Sequence, residues 1–182
     1  MDYQSIIDKY YPSENVLRRI LLLHSRQVAD RCLLIAKKHP ELRLDKDFLE
    51  EAAMLHDIGI FRCNAPSIQC FGTEPYICHG YIGGQLLREE GFERHALVCE
   101  RHTGSGITAE EIIVRQMPLP ARDMLPLSLE EKVVCYADKF FSKTHLGEPA
   151  KPIARVREQL VRYGVDSLAR FDALTALLCP QD

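Results

Sequence analysis

The chain has 182 residues, of which 46% are hydrophobic and 27% are charged, and this composition excludes an intrinsically disordered protein. The length favours one domain of ordinary size and excludes two large domains. With 23 basic and 26 acidic side chains the net charge is -3, which gives the protein no overall attraction for nucleic acid or anionic lipid. We therefore expect neither a nucleic acid polymer nor a membrane as a partner; the sequence leaves the oligomeric state open.

The N-terminal segment and the cysteines favour a cytoplasmic location. Asp2, Asp8 and Glu14 stand where a signal peptide would need a basic start and an apolar core, so we expect no export. No apolar run approaches the roughly 18 residues that a membrane span needs. The 7 cysteines form no CxxC pair, which favours reduced, mostly buried thiols.

Apolar residues recur at spacings of three and four along most of the chain, which predicts an all-α, single-domain helical bundle. Ser13 is the expected N-cap of the first helix, while Gly59 and Gly91 are typical helix-ending residues. Thr108 and Ser128 each precede a glutamate by three residues, which is the pattern of a capping box. In chain order, we predict helices at 13–38, 46–59, 79–90 and 94–102, a short helix after 108, and helices at 128–142, 150–163 and 165–178.

Two regions are harder to predict from local signals. Residues 60–78 contain two prolines and three cysteines, and we expect a long irregular loop or one short helix there, with no strand. These cysteines lack the close paired spacing of a zinc site. Together with 117–127, this loop is expected to border any substrate pocket.

In the C-terminal helices, the expected core residues are Leu160, Val161, Leu168, Phe171, Leu174 and Leu177.

Four histidines and two aspartates occupy positions from which separate helices could bring them together: His24, His56, Asp57, His79, His102 and Asp138. His24 shares a helix face with Ile20 and Val28, so its imidazole is expected to point inward. Asp138 lies near the apolar face of its own helix, beside Val134. An unpaired carboxylate in a core costs several kcal/mol unless it is hydrogen-bonded, paired or bound to metal. Several such residues together favour a metal site.

Taken singly, these residues have ordinary explanations. An inward His24 is more often a hydrogen-bonded core residue than a ligand. Asp57 could pair with a nearby arginine, His79 could open a helix, and His102 could complement a helix dipole. The adjacent pair of His56 and Asp57 is different, because neighbouring residues on a helix point about 100° apart and can hold one ion only near a helix end.

The string Leu55-His56-Asp57-Ile58-Gly59, with the order of the other histidines and aspartates, resembles the HD-domain superfamily of metal-dependent phosphohydrolases in its HDIG-type branch. The resemblance covers about residues 17–145. Segments 100–108 and 129–138 are similar to an uncharacterised group of small bacterial and archaeal HDIG proteins. The resemblance implies one HD domain over 1–182, with the C-terminal helices at 150–178 packed on its core.

The resemblance also implies a role for each matching residue. His24, His56, Asp57 and Asp138 would hold one divalent metal, and Asp57 would bridge to a second one held by His79 and His102. Imidazole and carboxylate donors favour iron or manganese here, while zinc, cobalt and nickel remain open.

Two metal ions would make a positive pocket that attracts phosphate, and a hydroxide bridging them is the expected nucleophile. Asp57 and Lys139 are the expected catalytic residues. Lys139 could equally be a solvated surface charge, and for Arg26 and Lys143 a solvated surface charge is the more common role. The candidate substrate-binding residues are Arg26, Thr103, Gly104, Lys139 and Lys143.

The leading hypothesis is a metal-dependent phosphohydrolase that cleaves a phosphoester or phosphoanhydride of a nucleotide or another small phosphate compound. The first alternative is a mixed-valent diiron oxygenase, because some HD-superfamily enzymes use the same donor set to activate oxygen. A non-catalytic ligand sensor is the third hypothesis. The remaining histidines, His39, His95 and His145, are expected to be exposed and to play no part in the site.

Overall fold

The protein is all-α, as the spacing of its apolar residues predicts, and the computed structural model describes residues 1–179. No helix within this range is both long enough and apolar enough to cross a membrane. The helices, in chain order, are α1 Tyr3–Tyr10, α2 Val16–Lys38, α3 Lys46–Leu55, α4 His79–Glu89, α5 Glu93–Arg101, α6 Ala109–Val114, α7 Leu129–Asp138, α8 Ile153–Leu160 and α9 Val165–Leu178.

The core lies where α2 packs against α3 and α7, with α5 contacting α3 and α7 and joined closely to α4. Leu21 and Val28 of α2, Leu49 of α3 and Val134 of α7 are fully buried there. Each such side chain contributes roughly 1.5–3 kcal/mol when it is removed from water. The packing fixes these five helices relative to one another, and the site described below lies beside the middle of α2 and at one end of each of the others.

The helix boundaries differ from the predicted ones where local hydrogen bonds end a helix early. The N-cap of α2 is Asn15 rather than Ser13, because the Asn15 side chain accepts a hydrogen bond from the Arg18 amide. Helix α3 ends at Leu55, four residues before the predicted end at Gly59, and 3₁₀-type bonds follow it. Helix α7 ends at Asp138 rather than near residue 142. As a result, two candidate metal ligands lie at helix ends: His56 directly follows α3, and Asp138 is the last residue of α7.

The sequence-based prediction lacks helix α1 and the one sheet that the described residues contain. Helix α1 is capped by Asp2 and buries only Ile6 and Ile7, which is too little periodicity to stand out in a short segment. Residues 60–78 form three short 3₁₀ turns and an antiparallel pair of two-residue strands, β1 Asn64–Ala65 and β2 Cys70–Phe71. The expectation of no strand was therefore wrong for these four residues, whose pairing is too short to leave an alternating pattern.

Burial of the thiols is confirmed, whereas some other burial predictions were wrong. Six free cysteines are buried, and only Cys179 is exposed. In the C-terminal helices Val161 is 55% exposed and Leu177 is 38% exposed. Val161 fails as a core residue because α8 ends at Leu160, so it lies on the following 3₁₀ turn. Leu168 is half-buried. The expected core residues that are buried in this part are Leu160, Phe171 and Leu174.

Two of the three histidines that were expected at the surface are buried. His95 packs against Phe48 and its Nε2 lies 3.1 Å from a Glu51 carboxylate oxygen. His39 is buried beside Glu41. Both have a carboxylate partner, which offsets the free-energy cost of burying an imidazole. His145 is exposed, as expected.

Gly59 allows helix α4 to approach the turn that follows α3. A Cβ atom at this position would lie 2.3 Å from the carbonyl oxygen of His79 and 2.5 Å from the amide nitrogen of Gly83. These are backbone atoms, which cannot rotate away as a side chain could. The absence of a side chain at Gly59 therefore sets the distance between the His56–Asp57 turn and the start of α4.

Gly59→Ala is expected to lower the free energy of unfolding by about 2–3 kcal/mol, because the methyl group overpacks against the α4 backbone. Gly91→Ala is the matched control, because Gly91 has a positive φ of 83° but open space around it. Its backbone strain is expected to cost about 1 kcal/mol. Urea denaturation of both variants measures the two costs. Equal losses of stability in the two variants would contradict the close-approach argument.

Candidate metal centre

All six residues of the predicted ligand set are buried and lie together, mostly at helix ends. His24 lies in the middle of α2, and His79 is the first residue of α4. His56 and His102 directly follow α3 and α5, and Asp138 is the last residue of α7. The donor atoms form two groups, His24 with His56, Asp57 and Asp138, and Asp57 with His79 and His102, and within each group they lie within 4.8 Å of one another.

The first group surrounds one oxygen of Asp57 and one oxygen of Asp138. His24 Nε2 lies 3.0 Å from Asp138 Oδ1 and 3.3 Å from Asp57 Oδ2. His56 Nε2 lies 3.1 Å from the same Asp57 oxygen and 3.5 Å from the same Asp138 oxygen. Two imidazole nitrogens and two carboxylate oxygens therefore face a common point.

The second group surrounds the other oxygen of Asp57. His79 Nε2 lies 3.3 Å and His102 Nε2 lies 3.5 Å from Asp57 Oδ1. The two nitrogens lie 3.0 Å from each other. Asp57 thus presents Oδ2 to one group and Oδ1 to the other, which is the arrangement that a bridging carboxylate needs.

Backbone carbonyls three residues earlier orient three of the imidazoles. A carbonyl oxygen can only accept, so each Nδ1 donates its proton, and in the neutral ring Nε2 then carries a lone pair directed into the centre. The three bonds are His56 Nδ1 to Ala53 O at 2.6 Å, His79 Nδ1 to Tyr76 O at 2.7 Å and His102 Nδ1 to Cys99 O at 2.7 Å.

These lone pairs test whether the residues fit a metal ion. Within residues 1–179, His56 Nε2 and both carboxylate oxygens of Asp57 are buried without a hydrogen bond of normal geometry, although the Lys143 ammonium lies close to one of these oxygens. The Nε2 atoms of His79 and His102 face each other at hydrogen-bond distance, although each ring has its proton on the opposite nitrogen. Acceptors that converge in this way need a cation between them. Imidazole and carboxylate suit divalent first-row metals, so the residues present fit such an ion.

The charges at the centre shift its pKa values. Burial disfavours the imidazolium of His56, but the carboxylates of Asp57 and Asp138 outweigh burial and raise the pKa of His56 to about 9. Burial also opposes ionisation of Asp57, but His56 and Lys143 hold the pKa of that carboxyl well below its usual range. Burial lowers the pKa of His102 to about 3. The carboxylates therefore favour positive charge on the His56 imidazole, whereas burial favours the neutral form of His102.

Two lysines reach the carboxylates of the centre. Lys143 Nζ lies 2.7 Å from Asp57 Oδ2, and Lys139 Nζ lies 2.7 Å from Asp138 Oδ2. Lys139 also donates to the His102 carbonyl oxygen at 3.1 Å. Both lysines line a cavity that the sequence-predicted residues Thr103 and Gly104 also border.

Arg26 does not join this group, which corrects its place among the predicted substrate-binding residues. Its guanidinium contacts a Glu50 carboxylate at 2.8 Å and the Tyr3 hydroxyl at 3.1 Å, and it does not line the cavity. Residues two apart on a helix point about 200° apart, so an inward His24 turns Arg26 away from the site.

The cavity beside the centre has a volume of about 610 Å³. His79, His102 and Asp138 form part of its wall. Tyr76, Ile77 and Met117 also line it, so the segments at 61–78 and 117–127 border the pocket as expected. The wall also contains residues between 106 and 115, Phe141, and residues of 151–170, a range that includes α8 and the start of α9.

Two residues that support the site were missed by the sequence analysis. The Tyr76 ring stacks on the His79 imidazole, with centroids 4.6 Å apart and planes at 20°, and Tyr76 lines the cavity. Lys151 Nζ donates to the carbonyl oxygens of Lys139 and Phe141, both at 3.3 Å, and so ties down the segment that carries the two lysines. An aromatic residue in a loop and a lysine outside any motif leave no signal for either role.

Asp57→Asn is expected to remove both metal ions, because each carboxylate oxygen of Asp57 faces one donor group. His102→Ala is expected to remove one ion and to retain the other, since His102 belongs to the second group only. Elemental analysis of the purified variants measures the ions per chain, and circular dichroism checks that each variant is folded. His145→Ala, at an exposed position, is the control. Wild-type metal content in Asp57→Asn would contradict the shared-carboxylate geometry.

Comparison with known proteins agrees with this geometry. The chain is 36% identical over 157 residues to an uncharacterized protein of Methanocaldococcus jannaschii, with 81% of this chain and 85% of that protein covered. A protein of Thermoplasma volcanium named tRNA (cytidine(56)-2'-O)-methyltransferase is 26% identical over 163 residues, covering 89% of this chain and 44% of that protein. A protein of the same name from Picrophilus torridus is 34% identical over 99 residues, covering 54% of this chain and 25% of that protein.

The chain thus spans less than half of the length of the two methyltransferase-named relatives. No solved structure matches it significantly. The family model described as HD domain matches residues 21–142, which contain all six residues of the candidate metal centre. The chain therefore belongs to the HD domain family.

Proposed function

We propose that this protein is a metal-dependent phosphohydrolase that cleaves a phosphoester or phosphoanhydride bond of a nucleotide or another small phosphate compound. The observation that carries the proposal is the shared carboxylate of Asp57, which faces two groups of metal donors beside a cavity of about 610 Å³. A cavity of this size suits a small molecule. Membership of the HD family supports a metal-dependent hydrolase in general.

Electrostatics supports a phosphate substrate. The side chains of the centre carry two carboxylates, Asp57 and Asp138, and the nearby Lys139 and Lys143 offset their charge. Two divalent ions bound there, iron or manganese by preference, would supply an activated water and neutralise the phosphoryl oxygens. The pocket would then be strongly positive in a chain whose net charge is -3. A phosphate dianion is the ligand that such a pocket attracts.

The chain's own residues have separable tasks in this proposal. Asp57 belongs to both donor groups and so fixes their relative positions, and its buried position excludes bulk water from them. Lys139 is anchored on the His102 carbonyl oxygen, from which its ammonium can also donate to a phosphoryl oxygen at the cavity wall. Lys143 offers a second ammonium on the same side. Thr103 and Gly104 shape the wall next to His102.

The activity prediction concerns release of phosphate from a substrate panel. Metal-loaded wild-type protein is expected to hydrolyse at least one nucleotide or small phosphoester, and Asp57→Ala is expected to lose that turnover. The panel includes diadenosine tetraphosphate, and it includes tRNA because two relatives carry a tRNA methyltransferase name. Phosphate release and product chromatography measure the reaction.

Two results would contradict this prediction. Turnover no higher than that of Asp57→Ala on every substrate would refute hydrolysis. Substrate loss that requires oxygen, with a half-reduced diiron signal in electron paramagnetic resonance, would establish the oxygenase instead. Activity with manganese under anaerobic conditions would exclude the oxygenase.

Lys139→Met is expected to lower kcat/KM by about 10- to 100-fold, because a hydrogen bond to a charged group contributes about 1.5–3 kcal/mol. The substitution keeps the length of the side chain and removes its charge. Lys37→Met is the control, since Lys37 is exposed on α2 and does not line the cavity. Steady-state kinetics on the best substrate of the panel compares the two. An unchanged kcat/KM in Lys139→Met would exclude a role in phosphate binding.

A further inference from the structure

The far wall of the cavity is built by residues outside the HD-family match. That match ends at residue 142, whereas the wall also contains Gln159, Arg162, Tyr163 and Ser167. Arg162 and Tyr163 lie on the 3₁₀ turn that connects α8 to α9. The chemistry of this wall is therefore set by the C-terminal segment and not by the metal-binding motif.

Positive charge is in excess along the cavity wall. Three of the lining cations have carboxylate partners, in the pairs Lys139 with Asp138, Lys143 with Asp57 and Arg170 with Glu111. The other three lining cations, Arg115, Lys151 and Arg162, have no carboxylate partner within residues 1–179. The excess remains after every ion pair of the metal centre has been counted.

The three unpaired cations differ in how they are held. The Lys151 ammonium already makes three hydrogen bonds within the fold, to two carbonyl oxygens and to the Gln159 side chain. Arg115 uses one guanidinium nitrogen, which donates to the carbonyl oxygen of Tyr163. Arg162 makes no hydrogen bond or ion pair from its side chain among the described residues. Arg115 and Arg162 therefore keep donors that the fold does not use.

Arg115 and Arg162 are also neighbours in space. The Arg115 guanidinium binds the carbonyl of Tyr163, the residue next to Arg162, and it lies 2.9 Å from the position that a Cβ atom on Gly164 would take. Both residues line the same cavity beside this contact, and a cavity wall with two cations attracts an anion. A guanidinium has a planar fork of donors that fits a phosphate or a carboxylate.

We propose that Arg115 and Arg162 form a second anion subsite, so that the substrate carries a phosphate or carboxylate in addition to the phosphate at the metal centre. This inference rests on the proposed function and narrows its substrate class to small compounds with two anionic groups. The arginine pair binds the remote group and determines specificity, whereas the metal centre acts on the other group. A compound with a single phosphate leaves the pair without a ligand.

Binding of phosphonates tests the subsite without turnover, because their carbon-phosphorus bonds are not hydrolysed. The probes are propylphosphonate, with one anionic group, a series of alkylene diphosphonates of increasing length, and phosphonocarboxylates of the same lengths. Isothermal titration calorimetry with manganese-loaded protein in excess manganese measures their affinities. At least one probe with two anionic groups is expected to bind about tenfold more tightly than propylphosphonate. Tighter binding of the diphosphonates would indicate a phosphate as the second anionic group of the substrate, and tighter binding of the phosphonocarboxylates would indicate a carboxylate.

Arg162→Ala is expected to abolish this preference and to leave the affinity for propylphosphonate unchanged. The variant is expected to fold, since Arg162 has no side-chain partner within residues 1–179 to lose, and circular dichroism checks this. Arg115→Ala should weaken the same probes. Arg155→Ala is the matched control, because Arg155 is exposed on α8 and its partner is Glu158 rather than the cavity.

Each result assigns success or failure separately to the subsite and to the proposed function. Equal binding of all probes by the wild-type protein, or equal weakening of all probes in Arg162→Ala, would overturn the subsite. If these results came with phosphate release from the substrate panel, hydrolysis would stand without the subsite. A preference that depends on Arg162, in a protein that releases no phosphate from any substrate, would support the subsite and refute hydrolysis.

Discussion

Asp57 has no exposed surface, and each of its carboxylate oxygens faces imidazole nitrogens of a different donor group. An ionised carboxylate without compensation in a core costs more than most folds can tolerate. Lys143 offsets part of that charge, yet neither carboxylate oxygen has a hydrogen-bond partner of proper geometry. The core thus encloses a negative centre, and three helices end around it.

The directions of the helices add to this field. Helices α3, α5 and α7 all have their C-terminal ends at the centre, where His56, His102 and Asp138 lie. The C-terminal end of a helix carries a partial negative charge from carbonyl groups that lack intrahelical partners. Two of those carbonyls, at Ala53 and Cys99, accept the Nδ1 protons of His56 and His102. The same groups that would otherwise be unsatisfied therefore orient the imidazoles and favour a cation between them.

Local rules pointed to four of the six central residues, because His24 and Asp138 are polar side chains on or near apolar faces and His56 and Asp57 are an adjacent pair at a helix end. His79 and His102 have ordinary local explanations, and the resemblance to the HD-domain superfamily gave them their place in the set. It could not place Lys151, since three hydrogen bonds to distant groups leave no trace in the local pattern. It placed Arg26 in the site by proximity along the chain, although helical geometry turns that residue away. His95 was expected at the surface because its partners Phe48 and Glu51 lie in another helix. The convergence of the central residues was predictable with the help of the family resemblance, whereas individual contacts such as those of Lys151 and His95 were not.

The C-terminal helices have a different relation to the site from that of the metal-binding residues. They lie beyond the family match, and yet Arg170 of α9 binds Glu111 and the carbonyl oxygens of Ser105 and Gly106, which follow His102 in the chain. This contact attaches the C-terminal segment directly to the wall of the metal centre. Under the proposed function, a family that shares the centre could change its substrate by changing this segment, because the segment supplies part of the wall and none of the six candidate ligands. The ion pair between Arg170 and Glu111 then joins the part of the chain that carries the candidate metal ligands to the part that supplies most of the opposite wall.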